Sequence, residues 1–224
     1  VLNLDKIHVM VEHACKGLAG VSESQVEMNA ELQFFDGIKT ADIQEILIRS
    51  ANDLISLDAP NYQFVAARLL LFSLRKAVYN GHPDGYPPLK EHVDKCVSRN
   101  VYDDSILKKY TDDEWDILTS YMDHDRDMLF TYAGLRQVVD KYLVQDRSCG
   151  EMYETPQYMY MMIAATLFQN YPIDTRLDYV RRYYNAISKH KINIPTPIMA
   201  GVRTPLRQFA SCVLVDVDDT LDSI

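Results

Sequence analysis

Apolar residues recur at helical spacing through most of the first 190 residues, and this periodicity constrains the fold more than any other feature. Residues 40–57 place their apolar side chains on one face, with Thr40 as the predicted N-cap and Asp42 in the first turn. Thr111 is the predicted cap of another helix. We predict a mainly α protein, with helices at residues 40–57, 60–79, 88–98, 112–122, 126–138, 156–169 and 174–189.

Two changes of composition divide the chain. Glycine and proline are concentrated in NGHPDGYPP, residues 80–88, which predicts a boundary between a unit at 1–80 and a helical domain at 81–191. After Lys191, three prolines precede the β-branched run Cys212–Val215, which predicts a buried strand. One strand cannot form a sheet by itself, so residues 192–224 are predicted to begin a larger, incomplete domain.

Charge and cysteine content exclude several classes of protein. The 23 Lys and Arg against 32 Asp and Glu give a net charge of −9, which disfavours general binding of nucleic acid or anionic membranes. No apolar run of about 18 residues and no secretory signal is present, so we expect a cytoplasmic protein. The four cysteines form no CxxC pair, so the sequence indicates neither a zinc site nor a disulfide scaffold, and no metal ligands are predicted.

The acidic motif DVDDTL follows the apolar run directly and matches the signature of haloacid-dehalogenase-type phosphotransferases. There Asp216 would be the nucleophile and Asp218 the acid or base. That fold needs a parallel sheet after the motif, whereas three residues follow Leu221 in this sequence. The phosphotransferase hypothesis is therefore the weaker alternative.

Three further segments have both a structural and a functional interpretation. DHDRD, residues 123–127, is predicted to be a solvated helix junction with local ion pairs rather than a metal site, and YMYMMIAATLF, residues 158–168, is predicted to be core. In the third segment, the hydroxyls of Thr196, Thr204 and Ser211 suit a phosphate. Cys212 is either a reactive thiol or a small buried apolar residue.

Longer blocks of the sequence resemble one family. GVRTPLRQFASCVLVDVDDTLDSI, preceded by INIPTPIMA, resembles the start of the catalytic barrel in the large subunit of class I ribonucleotide reductase. DHDRDMLFTYAGLRQVVDKYLVQ and FQNYPIDTRLDYVRRYYNAIS resemble its helical region, and NLDKIH and FFDGIKTADIQEILIRSANDLIS resemble its amino-terminal ATP-cone. The resemblance implies a truncated ATP-cone, a helical domain and the first strand of a ten-stranded α/β barrel.

The resemblance also implies an activity and its residues. The family reduces ribonucleoside diphosphates to deoxyribonucleoside diphosphates by thiyl-radical chemistry, and Cys212 matches the first cysteine of its redox-active pair. Thr196 and Ser211 match residues that hold the substrate diphosphate. The remaining catalytic groups of the family have no counterpart among these residues, so the fragment alone is expected to be inactive.

Two effector sites are implied in the same way. Asp219, Thr220 and Leu221 match the site for the deoxynucleoside triphosphates that set substrate specificity. Four residues of the cone match the activity site for ATP or dATP: Asn3, Lys6, Thr40 and Lys76. Gln44 stands where many relatives have a histidine.

The implied partners are a second large subunit, a metal-containing small subunit that supplies the radical, and thioredoxin or glutaredoxin as reductant. No cofactor is expected in this chain itself. The alternative is a nucleotide-binding helical regulatory module without catalysis.

Overall fold

The computed structural model describes residues 4–35, 37–79 and 85–221, and it confirms the mainly helical fold. Within these ranges the strands form one short antiparallel hairpin, β1 Gln145–Asp146 and β2 Glu151–Met152. Two 3-10 helices span Asp104–Lys108 and His124–Leu129. The α-helices are α1 Leu4–Cys15, α2 Glu23–Glu31, α3 Thr40–Asp53, α4 Tyr62–Tyr79, α5 Leu89–Ser98, α6 Asp112–Tyr121, α7 Tyr132–Lys141, α8 Pro156–Phe168, α9 Ile173–Ser188 and α10 Thr196–Gly201.

The two predicted threonine caps behave differently. Thr111 accepts a hydrogen bond from the Glu114 backbone N–H, and the Glu114 side chain accepts one from the Thr111 N–H, which confirms a capping box at the start of α6. The prediction for Thr40 is wrong, because α3 begins at Thr40 itself and Lys39 takes the N-cap position without a side-chain hydrogen bond. A residue already inside the first turn cannot cap that turn.

The single helix predicted at residues 126–138 is also wrong. The chain forms the 3-10 helix His124–Leu129, passes through extended backbone at Phe130, and begins α7 at Tyr132. Thr131 caps α7 by accepting a hydrogen bond from the Gly134 N–H at 3.2 Å. This local cap competes with a continuous helix, because it satisfies an amide that the preceding turn would otherwise use.

Helix α4 organises the packing of the chain. α3 and α1 pack against it at the amino-terminal side of the sequence, and α7 and the His124–Leu129 helix pack against it from the later half. The buried apolar residues form one continuous cluster. The predicted boundary at residues 80–88 follows this shared helix, and residues 80–84 lie outside the described ranges.

The centre of the core is α8. Tyr158 to Ala165 are all buried, which confirms that the YMYMM stretch is packing rather than a surface site. α9 lies against α8 as the second helix of a hairpin. None of the described helices combines the length and the apolar surface that spanning a lipid bilayer requires.

Candidate functional site

Thr196 is the first residue of α10, a helix started by the prolines on either side of it. Its side chain is exposed and lies beside Tyr142, the residue that follows α7, where it affects the ionisation of the Tyr142 phenol. Gln137 donates from Nε2 to the same hydroxyl at 3.2 Å. The contact with Thr196, and after it the contact with Gln137, lowers the pKa of the Tyr142 phenol. The Thr196 hydroxyl is therefore held beside a polar aromatic residue at the protein surface.

A buried ion pair fixes the position of α10. Arg203, 1% exposed, donates from Nε to Glu154 Oε2 at 2.8 Å and pairs with Glu154 Oε1 through Nη2. The same guanidinium donates to the Met199 carbonyl in α10 at 2.6 Å and to the Tyr142 carbonyl at 3.0 Å. One side chain thus connects the helix that carries Thr196 to the residue that contacts Thr196.

The carboxylate of Glu154 is itself fully bonded. The Tyr102 hydroxyl and the Val144 N–H both donate to it, the latter at 2.7 Å. A buried charge persists in a protein when it is paired and its remaining lone pairs are satisfied, and Glu154 meets both conditions. A backbone hydrogen bond also joins the segment after α10 to the segment before the Asp104–Lys108 helix, because the Asp103 N–H donates to the Arg203 carbonyl at 3.0 Å.

Residues 205–221 run over the surface after this anchor. All of them are exposed. Ser211 and Cys212 are neighbours in this segment, and the Cys212 thiol is not in a disulfide. Among the described residues, Cys212–Val215 form no strand and pair with none, and the Leu214 side chain is fully exposed, so the buried strand predicted there is not formed in this part of the chain. A strand without a neighbour leaves its backbone unpaired and its apolar side chains in water, so it does not form.

The specificity residues lie further along the same segment. Asp219, Thr220 and Leu221 are exposed, and the Thr220 N–H donates to the Asp218 carbonyl at 2.8 Å in a tight turn. Within the described residues no strand leads directly into DVDDTL, so the two carboxylates of the phosphotransferase hypothesis are not presented by a strand end. No group of three or more His, Cys, Asp or Glu residues in the described part could hold a metal ion.

The predicted activity-site residues lie at one end of the first four helices. Arg68 in α4 donates to the Ala14 carbonyl of α1 at 3.0 Å, and Asn61, before α4, donates to the Ala19 carbonyl at 2.8 Å. α1 therefore runs antiparallel to α4. Gln44 in α3 donates to the Leu69 carbonyl of α4 at 2.9 Å, and an eight-residue connection, 54–61, joins these two helices as an antiparallel pair.

This antiparallel arrangement places the starts of α1 and α3 beside the end of α4. Lys6, Thr40 and Lys76 are exposed at this end, and Asn3 lies outside the described residues. Gln44, at the position where the resemblance has a histidine, uses its side-chain amide to bond the α4 backbone. Its polar group therefore joins two helices of the bundle.

The DHDRD segment contains a buried carboxylate that the solvated interpretation did not include. Asp127 is 1% exposed, accepts a hydrogen bond from Gln157 Nε2 at 2.7 Å and lies 3.7 Å from Arg75 of α4. Burial raises the pKa of Asp127 to about 7, although Gln157 and Arg75 both act to lower it. The helix junction predicted there is present. Its solvated environment is confirmed for Asp123 and Asp125, which are exposed, and is wrong for Asp127, which is buried.

Three groups around the candidate site were not predicted from the sequence: Tyr142, Glu154 and Arg203. They are separated by up to 61 residues along the chain, as in the bond from Arg203 to the Tyr142 carbonyl. A charged residue on its own carries no sequence signal for burial, since its partner is set by the fold.

Two family models match the chain in the order of these regions. The ATP cone domain matches residues 1–77, and the ribonucleotide reductase all-alpha domain matches residues 128–207. The chain is 54% identical over 223 residues to ribonucleoside-diphosphate reductase subunit alpha of Haemophilus influenzae. It is 53% identical over 223 residues to ribonucleoside-diphosphate reductase 1 subunit alpha of Escherichia coli K12. The chain belongs to the ribonucleoside-diphosphate reductase alpha-subunit family.

The alignments also define which share of an alpha subunit the chain represents. The Haemophilus and Escherichia matches each cover 100% of this chain and 29% of the relative. The alpha subunit of Enterobacteria phage T4 is 44% identical over 221 residues, covering 98% of this chain and 28% of the relative. The family predicted from the sequence is confirmed, and the cone match ends two residues before the end of α4 at Tyr79.

Proposed function

We propose that the chain is part of an alpha subunit that reduces ribonucleoside diphosphates to deoxyribonucleoside diphosphates. The observation that carries this proposal is the similarity to named alpha subunits along the whole chain, with the cone and all-alpha matches in order. The exposed apolar residues Val213, Leu214 and Val215 support it. Successive β-branched and apolar side chains of this kind suit a barrel strand that packs against neighbouring strands.

In this proposal each residue of the carboxyl-terminal segment has a defined task. Thr196 and Ser211 donate hydrogen bonds to the substrate diphosphate, and Cys212 supplies one thiol of the reducing pair. A thiyl radical elsewhere in the subunit removes a ribose hydrogen and returns it to the sugar at the end of the reaction, which regenerates the radical. Cys212 and a second cysteine give up two electrons and two protons and form a disulfide, while the ribose loses its hydroxyl as water. Thioredoxin or glutaredoxin then reduces the disulfide.

The same proposal includes two effector sites. Asp219, with Thr220 and Leu221, accepts hydrogen bonds from the sugar of a deoxynucleoside triphosphate that sets specificity. At the far end of α4, the cone binds ATP or dATP through Lys6, Thr40 and Lys76, together with Asn3. Exposed lysines beside the starts of two helices suit a triphosphate.

The proposed assembly contains a second alpha subunit and a small subunit whose metal centre generates the radical. The chain described here needs no cofactor of its own in this scheme. A cytoplasmic location, where thioredoxin operates, fits the proposal. The rival function, a nucleotide-binding regulatory module without catalysis, is favoured only by the cone match at residues 1–77.

The decisive experiment compares two cysteine variants of the complete alpha subunit, assayed with the small subunit, thioredoxin and a ribonucleoside diphosphate. We expect Cys212→Ser to bind substrate and to lose sustained turnover, because a serine hydroxyl cannot form the product disulfide. Cys149→Ser is the matched control, since this thiol is also exposed but lies in the β1–β2 hairpin.

Sustained thioredoxin-dependent reduction by Cys212→Ser would refute the assignment of Cys212. A complete wild-type protein that binds ATP and forms no deoxyribonucleotide would instead support the regulatory module.

A further inference from the structure

We propose that Arg203 is a positioning residue for the diphosphate of the substrate, because it fixes α10, the helix that carries Thr196. This inference rests on the proposed function, in which Thr196 binds that diphosphate. Arg203 lies outside the residues that the family resemblance supplied. It follows Thr196 by seven residues and, unlike the exposed Thr196 side chain, is buried.

The guanidinium of Arg203 is held by four acceptor atoms. It donates to both carboxylate oxygens of Glu154, with Nε 2.8 Å from Oε2. Nη1 donates to the Met199 carbonyl of α10 at 2.6 Å, and Nη2 donates to the Tyr142 carbonyl, just after α7, at 3.0 Å. A guanidinium is planar and rigid, so these donors keep fixed directions relative to one another. The end of α10 is therefore held at a defined place beside the end of α7.

The main chain around Arg203 is fixed as well. The Arg203 carbonyl accepts a hydrogen bond from the Asp103 N–H at 3.0 Å. The next residue, Thr204, is buried and donates from its hydroxyl to the Gly201 carbonyl of α10 at 2.8 Å. A helix of only six residues does not hold itself in place, since isolated helices of this length are unstable in water. The position of α10 therefore depends on these contacts.

Stability alone does not account for an ion pair at this place. Replacing a buried pair with apolar residues of similar volume is often neutral or stabilising. Apolar contacts are not directional, however, whereas the bonds of Arg203 set both the distance and the orientation of α10. A side chain that is already held in place binds its ligand more tightly, because it loses less freedom on binding. The pair of Arg203 and Glu154 thus provides a fixed support for the exposed Thr196.

The test uses the complete alpha subunit and measures the dissociation constant of a ribonucleoside diphosphate by equilibrium dialysis. KM and kcat are measured with the small subunit and thioredoxin. Arg203→Lys keeps a positive charge beside Glu154, but an ammonium has three donors and no planar fork, so it cannot serve all four acceptors. We expect the dissociation constant and KM to rise about fivefold and kcat at saturation to stay within about twofold of the wild-type value.

The matched control is Arg176→Lys. Arg176 forms a second buried pair, donating from Nε to Glu114 Oε1 at 2.7 Å. It lies near the start of α9, and the chain reaches α10 only after the end of α9 at Ser188, about 18 Å further along that helix. Both changes weaken a buried pair, so both should lower stability. Only Arg203→Lys should weaken the binding of the diphosphate.

A second variant and a double-variant cycle complete the test. Glu154→Gln removes the charge that holds the guanidinium and should also raise the dissociation constant. In a Thr196→Val background, Arg203→Lys should have no further effect, because the hydroxyl that it positions is gone.

The proposal is overturned if a folded Arg203→Lys or Glu154→Gln subunit binds within about twofold of the wild type. It is also overturned if Arg176→Lys weakens binding equally, or if the effect of Arg203→Lys persists in full without the Thr196 hydroxyl. A wild-type subunit that binds no ribonucleoside diphosphate would overturn the proposed function itself, and this inference with it.

Discussion

Replacing Arg203 with methionine tests the anchor of α10 most directly. The change keeps an unbranched side chain of moderate length but leaves the Glu154 carboxylate buried without a counter-charge. It also removes a donor from the Met199 and Tyr142 carbonyls. Breaking a buried ion pair from one side typically costs about 3–5 kcal/mol. We expect Arg203→Met to lower the free energy of unfolding by about 4 kcal/mol.

Urea denaturation of the 224-residue chain measures this loss, with fluorescence of Trp115 as the signal. Trp115 is the single tryptophan of the chain and is completely buried in α6. At a slope of about 3 kcal/mol per molar urea, the expected loss lowers the midpoint by about 1 M. Arg207→Met is the control, because Arg207 pairs with Asp103 through a side chain that is 57% exposed, and such pairs contribute under about 1 kcal/mol.

Two comparisons test whether the buried Arg203–Glu154 pair stabilises this region. Equal midpoints for Arg203→Met and Arg207→Met would show that burial of the Glu154 pair does not stabilise this region. Adding Glu154→Gln to Arg203→Met should recover part of the loss, because the second change removes the uncompensated charge. The loss in the double variant should therefore be smaller than the sum of the two single losses.

Three further predictions follow from the caps, from the buried carboxylate and from the effector segment. Thr111→Ala should lower the free energy of unfolding by about 1 kcal/mol and Thr40→Ala by much less, since only Thr111 caps a helix; equal losses in urea would contradict this. The folded-state pKa of Asp127 is raised to about 7, so its contribution to stability is complete below about pH 4 and is lost as the pH rises through 7. Asp127→Asn should abolish this loss of up to about 4 kcal/mol, and an unchanged slope of stability against pH would exclude Asp127 as its source. In the complete subunit, Asp219→Ala should alter which base is reduced in response to effectors while basal reduction persists, and an unchanged effector response would remove Asp219 from that site.

The helices were predictable where their signals were local. α6 has its threonine cap and acidic first turn within four residues, and the structure begins it at the predicted residue. Residues 126–138 have an equally helical composition, but the Thr131 cap divides them into two elements. Periodicity does not show which of two competing caps or turns the chain uses, because both are compatible with the same spacing of apolar residues.

The candidate site was predictable only through residue types that suit phosphate and redox chemistry. Thr196, Ser211 and Cys212 stood out because hydroxyls and a thiol lie among prolines. Tyr142 and Glu154 did not, since one tyrosine among fifteen and one carboxylate among many carry no sign of their partners. Contacts between residues distant in sequence arise from the packing of α7, α8 and α10, which composition does not specify.

The sharing of α4 between the two halves limits how the chain can be dissected. A fragment that stops after α4 would leave bare the side of this helix that α7 covers, and a fragment that starts at residue 85 would uncover α7. Either truncation would expose apolar surface that is buried in the longer chain, and exposed apolar surface promotes aggregation. Engineers who transplant the amino-terminal helices onto another enzyme would therefore have to redesign one side of α4 for contact with water.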